Sequence, residues 1–180
     1  MTPRNGNYSI TFTGQKFYPF DPRPDEIHIK DIAHHLSLTC RFGGATPWFY
    51  SVAEHSLWVS KLSPPPDRLW GLLHDAAEAY LGDMIRPVKR HPDLAPFMRA
   101  ESALLSVIMR KFGLPPEEPP SVRNADELML GIEGYNLNGH IPSDANVDPD
   151  YCRNFKLTLA LSPIQAERQF LARFQELSTK

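Results

Sequence analysis

The stretch DRLWGLLHDAAEAYLG, Asp67 to Gly82, decides how this sequence is read. Leu69, Trp70, Leu72, Leu73, Ala76, Ala77 and Tyr80 leave it apolar nearly all round, so the pattern predicts one helix at the centre of a helical protein. Inside that helix stand His74, Asp75 and Glu78. Burying an isolated charge there costs several kcal/mol, so each needs a partner that offsets desolvation. A bound cation is one such partner. At about 100° per residue, His74 and Glu78 are roughly 40° apart and Asp75 lies between about 60° and 100° from them. All three are expected on one side of the helix, able to converge on one point. For the His-Asp pair alone, a solvated polar stripe with a capped or core histidine is the plainer reading.

Working outward, further helices bracket this one. The triple proline Pro64 to Pro66 ends a preceding helix that opens at Ser51, where Ser51 and Glu54 have capping-box spacing and Val52, Leu57, Val59 and Leu62 form the apolar set. Asp31 to Cys40, with Ile32, Leu36 and Leu38, reads as an earlier helix. After Gly82 the segment DMIRPVKR leads to a long amphipathic stretch, Leu94 to Phe112, with Phe97, Leu104, Leu105, Ile108 and Met109 on one side. Gly113 and the prolines at 115, 116, 119 and 120 close it. A helix from about Ser121 to Tyr135 follows, then a polar loop over Asn136 to Asp150. Ser162, Pro163 and Gln165 start the last helix, ahead of Phe170, Leu171 and Phe174. Near the start, ITFT and KFYPF around Gly14 and Gln15 suggest a small hairpin or arm, and DPRPD connects it stiffly to the helices. The expected fold class is all-α, a helical bundle with a short N-terminal extended arm or hairpin, in one domain over 1–180.

Composition narrows the function. With 180 residues, 42% hydrophobic and 22% charged, the chain has the ordinary globular mix. A net charge of −2 provides no basic field for a nucleic acid polymer. Met1 to Tyr8 lacks a signal-peptide core, and no run of about 18 apolar residues could span a bilayer, so a cytoplasmic protein with no membrane partner is expected. Cys40 and Cys152 are isolated, which fits a reducing compartment.

Two further residues break apolar faces. His55 lies between Val52 and Val59, and Asp126 lies among Ala125, Leu128, Met129 and Leu130. With His74 and Asp75 they make two imidazoles and two carboxylates, a mixed N/O set that suits a borderline divalent ion with open positions rather than a closed thiolate site. HDAAE is not H-E-x-x-H, because position 78 is glutamate, so a metalloprotease is not indicated. Glu78 is instead placed to orient or deprotonate a water. Arg123, one turn before Asp126, is expected to aim its guanidinium at an anion on the metal. Lys89, with Arg86 and Arg90, supplies local positive charge. His28, His34, His35, His91 and His140 are read as structural or exposed. Trp48, Trp58 and Trp70 are read as core or interface aromatics.

RFGG (Arg41 to Gly44), SVAEHS (Ser51 to Ser56), LLHDAAEAYLGDMIRPVK (Leu72 to Lys89) and ADEL (Ala125 to Leu128) occur in an order and spacing that resembles the HD-domain superfamily of metal-dependent phosphohydrolases. The resemblance spans about Ile32 to Leu137, with a metal-binding core over about 31–137. It is closer to the bacterial 5′-deoxynucleotidase branch and the related phage deoxyadenosine triphosphohydrolases. The resemblance implies that His55, His74, Asp75 and Asp126 hold the metal and that Glu78, with Asp75, is catalytic. It further implies that Asp83 lies beside the sugar and favours deoxyribose, that Arg41 meets the nucleotide phosphate, and that Phe42 stands where relatives present an aromatic, often tryptophan, to the base. The expected cofactor is a divalent ion, Mn²⁺, Co²⁺ or Zn²⁺, or Mg²⁺ with a triphosphate. The expected partner is a small deoxynucleotide, dATP or dAMP first, and a homo-oligomer is implied. Hydrolysis of a signalling nucleotide and non-catalytic nucleotide binding are the alternative readings.

Overall fold

The computed structural model describes residue 4, residues 6–158 and residues 160–179. It is mostly helical. The short hairpin is present: β1 (Ser9–Ile10) pairs antiparallel with β2 (Lys16–Phe17), Ser9 opposite Phe17 and Ile10 opposite Lys16. Thr13 clasps it to the first helix, donating from its N–H and hydroxyl to the two oxygens of buried Asp31 at 2.7 and 2.8 Å. Phe17 packs into the core against Tyr80.

The helices are α1 (Ile29–Leu38), α2 (Val52–Leu62), α3 (Arg68–Leu73), α4 (Glu78–Leu81), α5 (Arg86–Lys89), α6 (Ala95–Lys111), α7 (Pro120–Asn138), α8 (Pro149–Asn154) and α9 (Pro163–Ser178). α2 is central, packing on α1, α3, α7 and α9. Its apolar residues Val52, Ala53, Leu57 and Val59 are at most 2% exposed. Ser51 caps it by accepting from the Glu54 N–H at 3.1 Å. The reciprocal half of the capping box is not made, because Glu54 Oε2 accepts from the Leu161 N–H at 3.1 Å and ties the segment before α9 to the core. At α9 the Ser162 N–H and hydroxyl both donate to Gln165 Oε1.

Three expectations are corrected. The Asp67 to Gly82 segment is not one continuous helix. Between α3 and α4 it tightens, with Ala76 N–H donating to Leu73 O, Glu78 N–H to Asp75 O and Ala79 N–H to Ala76 O. Such i to i+3 bonds advance about 120° per residue instead of 100°, which re-aims the polar side chains. α7 runs on to Asn138, past the expected end near Tyr135, because residues 129–134 and Leu137 stay buried. The segment 136–150 is thus partly helical at both ends, since α8 begins at Pro149 with Asp148 accepting from the Asp150 N–H. Among the described residues no helix is long and apolar enough to cross a membrane.

α9 closes the core through Phe170, which is fully buried. Phe170→Ala is expected to cost about 3–5 kcal/mol through lost burial and a residual cavity. Ile164→Ala, at a side chain 63% exposed on the same helix, should stay within about 0.5 kcal/mol. Urea unfolding of both variants checks this, and equal losses would contradict the packing described.

Candidate metal centre

Four segments deliver the site. α2 brings His55, the tight turn between α3 and α4 brings His74 and Asp75, and α7 brings Asp126 and Glu133. The segment between α1 and α2 brings Arg41, Phe42 and Tyr50. His55 Nε2 lies 3.1 Å from His74 Nε2, 3.1 Å from Asp126 Oδ1 and 3.6 Å from Asp75 Oδ2. His74 Nε2 lies 3.1 Å from Asp75 Oδ2 and 3.7 Å from Asp126 Oδ1. His55 is fully buried and the His74 side chain is 4% exposed.

The tautomers follow from the other ring nitrogens. His74 Nδ1 donates to the Gly71 carbonyl at 2.8 Å, since a carbonyl only accepts. His55 Nδ1 meets Glu133 Oε1 at 2.7 Å, which also accepts from the Tyr50 hydroxyl at 2.9 Å. Burial opposes ionisation of Glu133, yet the charge of Arg41, and then His55 and Tyr50, hold its pKa below the ordinary value. Glu133 is therefore an acceptor, and His55 Nδ1 carries the proton. In the neutral imidazoles both Nε2 atoms are lone pairs. In that form they face each other and two carboxylate oxygens, and a proton or a cation is needed between them.

That arrangement needs positive charge at its centre. Burial alone would lower the pKa of both histidines, but nearby carboxylates outweigh it and raise both, His74 well above the ordinary value. Burial likewise opposes ionisation of Asp126, yet its contacts with the two histidines hold it well below the usual carboxylate range. A single proton can bridge only one of these pairs. The group His55, His74 and Asp75 could hold a metal ion, and Asp126 borders both imidazoles. Hydrogen bonds to the far nitrogens fix the rings in the way metal-binding histidines require.

Through Asp75 and Asp126 the centre borders a cleft of about 530 Å³, within the range of small-molecule sites, and neither histidine is among the residues lining it. Asp75, Asp126, Glu78, Asp83, Arg41 and Phe42 all line it. Arg41 donates through Nε and Nη2 to Glu133 Oε2 at 3.2 and 3.0 Å, and its Nη1 is 3.6 Å from Asp75 Oδ2. Phe42 sits beneath that guanidinium in a left-handed conformation, φ 55 and ψ 25. A bulky residue there is strained, so the surrounding structure holds this ring at the cleft wall.

Glu78 also faces the cleft but is not part of the convergent group, which corrects the expectation that it meets His74 and Asp75 at one point. Its Oε1 is 3.2 Å from Lys89 Nζ, and its buried Oε2 has no partner among the described residues. Burial, and then the charges of Asp75 and Asp83, raise its pKa well above the ordinary value. Lys89 is held in turn by Glu101 at 2.7 Å.

Arg123 departs from expectation. Its side chain is 66% exposed and pairs with Glu118 at 2.9 Å, and it does not line the cleft. Near the start of α7 it lies close to the acidic loop before that helix, and pairing there costs no desolvation. Arg86 and Arg90 are at the cleft but already paired, with Glu127 at 3.1 Å and with Asp144 at 2.9 Å respectively. Of the other histidines, His34 pairs with Glu167, and His35 binds the Ala79 carbonyl and the Phe12 N–H. Trp70 is core and Trp48 is 47% exposed. Cys40 and Cys152 are free thiols.

Sequence reading missed Glu133, Tyr50 and Glu101. Glu133 is seven residues after Asp126, two helical turns along the same face, and that spacing was a usable signal. Glu101 falls three residues before Leu104 and seven before Ile108, on the buried face of α6. Tyr50 carried no signal.

The fold and site define a helical protein with a mixed imidazole and carboxylate group able to hold a metal. The chain is 37% identical over 172 residues to the uncharacterized protein YfdR of Escherichia coli, covering 93% of this chain and 94% of that protein. It is 33% identical over 183 residues to an uncharacterized protein of Rhodobacter capsulatus, covering 92% of each. The chain belongs to one family with these proteins. No family model matches it.

Glu133→Gln removes the charge that orients His55 and Arg41 and is expected to weaken divalent-ion binding about 10–100-fold. Isothermal titration with Zn²⁺ measures this, and unchanged affinity would contradict the role given to Glu133. Protons compete for the same lone pairs, and both imidazole pKa values are raised. Zn²⁺ affinity should therefore fall with decreasing pH, starting above the ordinary histidine value of about 6.5. A dissociation constant that stays flat between about pH 5.5 and 8 would contradict it.

Proposed function

We propose that this chain is a metal-dependent phosphohydrolase acting on 5′-deoxynucleotides. The observation that carries the reading is the meeting of two imidazole Nε2 atoms with two carboxylates, Asp75 and Asp126, at the wall of a cleft that Arg41, Lys89 and Glu78 also line. His55, His74, Asp75 and Asp126 would hold the ion, with Mn²⁺, Co²⁺ or Zn²⁺ suited to the N/O set. When bound, the ion supplies Lewis acidity toward a phosphoryl oxygen and toward water.

The protein's own groups account for the remaining work. Glu78 accepts a proton from the attacking water. Lys89 on Oε1 leaves Oε2 for the water. Water oxygen bonds to phosphorus, the ester P–O bond breaks, and the departing 5′ oxygen takes up the proton that Glu78 removed from the water. The products are a deoxynucleoside and phosphate, or inorganic triphosphate from a triphosphate. Arg41 and Lys89 offer fixed positive charge to the phosphoryl oxygens as negative charge builds on them. Asp83, Phe42 and the preference for adenine and deoxyribose enter through the family resemblance, and both side chains line the cleft.

With Mn²⁺ or Co²⁺ the purified protein should release product from dAMP or dATP. A panel that includes guanosine tetraphosphate and cyclic dinucleotides tests the signalling-nucleotide alternative. Release from none of the deoxynucleotides rejects the proposal. Asp75→Ala should abolish turnover. Glu78→Gln should lower kcat about 10²–10⁴-fold while metal affinity is retained, and a Gln variant with wild-type kcat would remove Glu78 from the mechanism.

A further inference from the structure

Lys89 stands between two carboxylates. Its Nζ is 3.2 Å from Glu78 Oε1 and 2.7 Å from Glu101 Oε1. Glu78 faces the cleft and serves the proposed chemistry directly. Glu101, on the buried face of α6, does not line the cleft. It is only 8% exposed, and a carboxylate at that depth is costly unless a charge meets it.

Fastening α5 to α6 is one use of such a pair, and three observations point past it. No residue of α5 is buried, so packing contributes little to where Lys89 stands. There is also space around the ammonium. Beside the cleft lies a smaller chamber of about 100 Å³, which Glu101, Ser102 and Leu105 help to line, and Asp75, Glu78 and Lys89 are the residues common to both spaces. A flexible side chain in such a partition is held by charge rather than by close packing. Finally, an ammonium has three N–H donors. Glu78 and Glu101 account for two, which leaves one for an oxygen of a bound ligand.

We infer, taking from the reading above only that a phosphoryl group binds in this cleft, that Glu101 is a positioning residue. It anchors Lys89 beside Glu78 Oε1 and at the cleft, and it acts on a bound phosphate only through Lys89. Without the Glu101 charge, the ammonium closes on Glu78 or leaves the cleft wall. Either move takes from the phosphoryl oxygens a positive charge that is most effective when fixed in advance.

A double-mutant cycle tests this, built from Glu101→Gln, Lys89→Met and the two together. Two quantities are read on Mn²⁺-loaded protein, kcat/KM with dAMP and the Kd of inorganic phosphate by calorimetry. Glu101→Gln keeps the shape of the side chain and removes its charge. Alone it should weaken phosphate binding and lower kcat/KM about tenfold or more, as for a lost charge-assisted hydrogen bond. Zn²⁺ affinity should stay as in the wild type, which also identifies a folded variant. In the Lys89→Met background the same substitution should change either quantity by less than about twofold. Equal losses in the two backgrounds, or no loss from Glu101→Gln alone, overturn the inference. If the Gln variant does not fold, Glu101→Asp takes its place, because it draws the charge back from Lys89, and the same non-additivity is expected. Phosphate binding that needs Glu101 only when Lys89 is present, without turnover of dAMP or dATP, supports this inference and defeats the hydrolase reading. Turnover with additive losses does the reverse. Neither phosphate binding nor turnover defeats both.

Discussion

The Glu133 carboxylate is the constraint on which the rest of the site depends. It is fully buried on α7 and meets His55, Tyr50 and Arg41 at once. A buried carboxylate without such partners would be neutral, and a neutral Glu133 could donate a proton to His55 Nδ1. Ionised, it only accepts, so the His55 proton stays on Nδ1 and the Nε2 lone pair faces His74. One buried charge thereby sets both the tautomer of a candidate ligand and the direction of the Arg41 guanidinium.

The packing supports this economically. α2 is central because nearly every position of its first two turns is buried, polar residues included. His55 can be inward-facing there only because α7 supplies Glu133 opposite it. The tightened turn between α3 and α4 then delivers His74 and Asp75 on consecutive residues to the same centre. Neighbouring side chains diverge by about 100° in a regular helix and about 120° in a tightened turn, so side-chain reach brings these two together. Here the carbonyl of Gly71 anchors the His74 ring, and Asp75 reaches across to both imidazoles and Arg41.

Much of the fold was legible because the signals were local. Ser51 and Ser162 mark helix starts, the prolines at 64–66 mark a stop, and the hairpin lies where ITFT and KFYPF alternate. Long apolar periodicity located α6 and α7. The tightened turn was hidden because HDAAE has the composition of an ordinary helix. At the site, His55, His74, Asp75 and Asp126 stood out as polar breaks in apolar faces, and the structure brings them together. Arg123 was misjudged because helical phase says which side a residue occupies, not which nearby acid will capture it, and Glu118 was closer.

The central proposal is that His55, His74 and Asp75, a group able to hold a metal ion, bind a single cation together with Asp126. X-ray absorption spectroscopy of the protein reconstituted with Zn²⁺ tests it most directly. The account predicts a shell of nitrogen and oxygen atoms at about 2.0–2.2 Å with the multiple-scattering signature of two imidazoles. A sulfur shell near about 2.3 Å, a single imidazole, or no bound ion would contradict it.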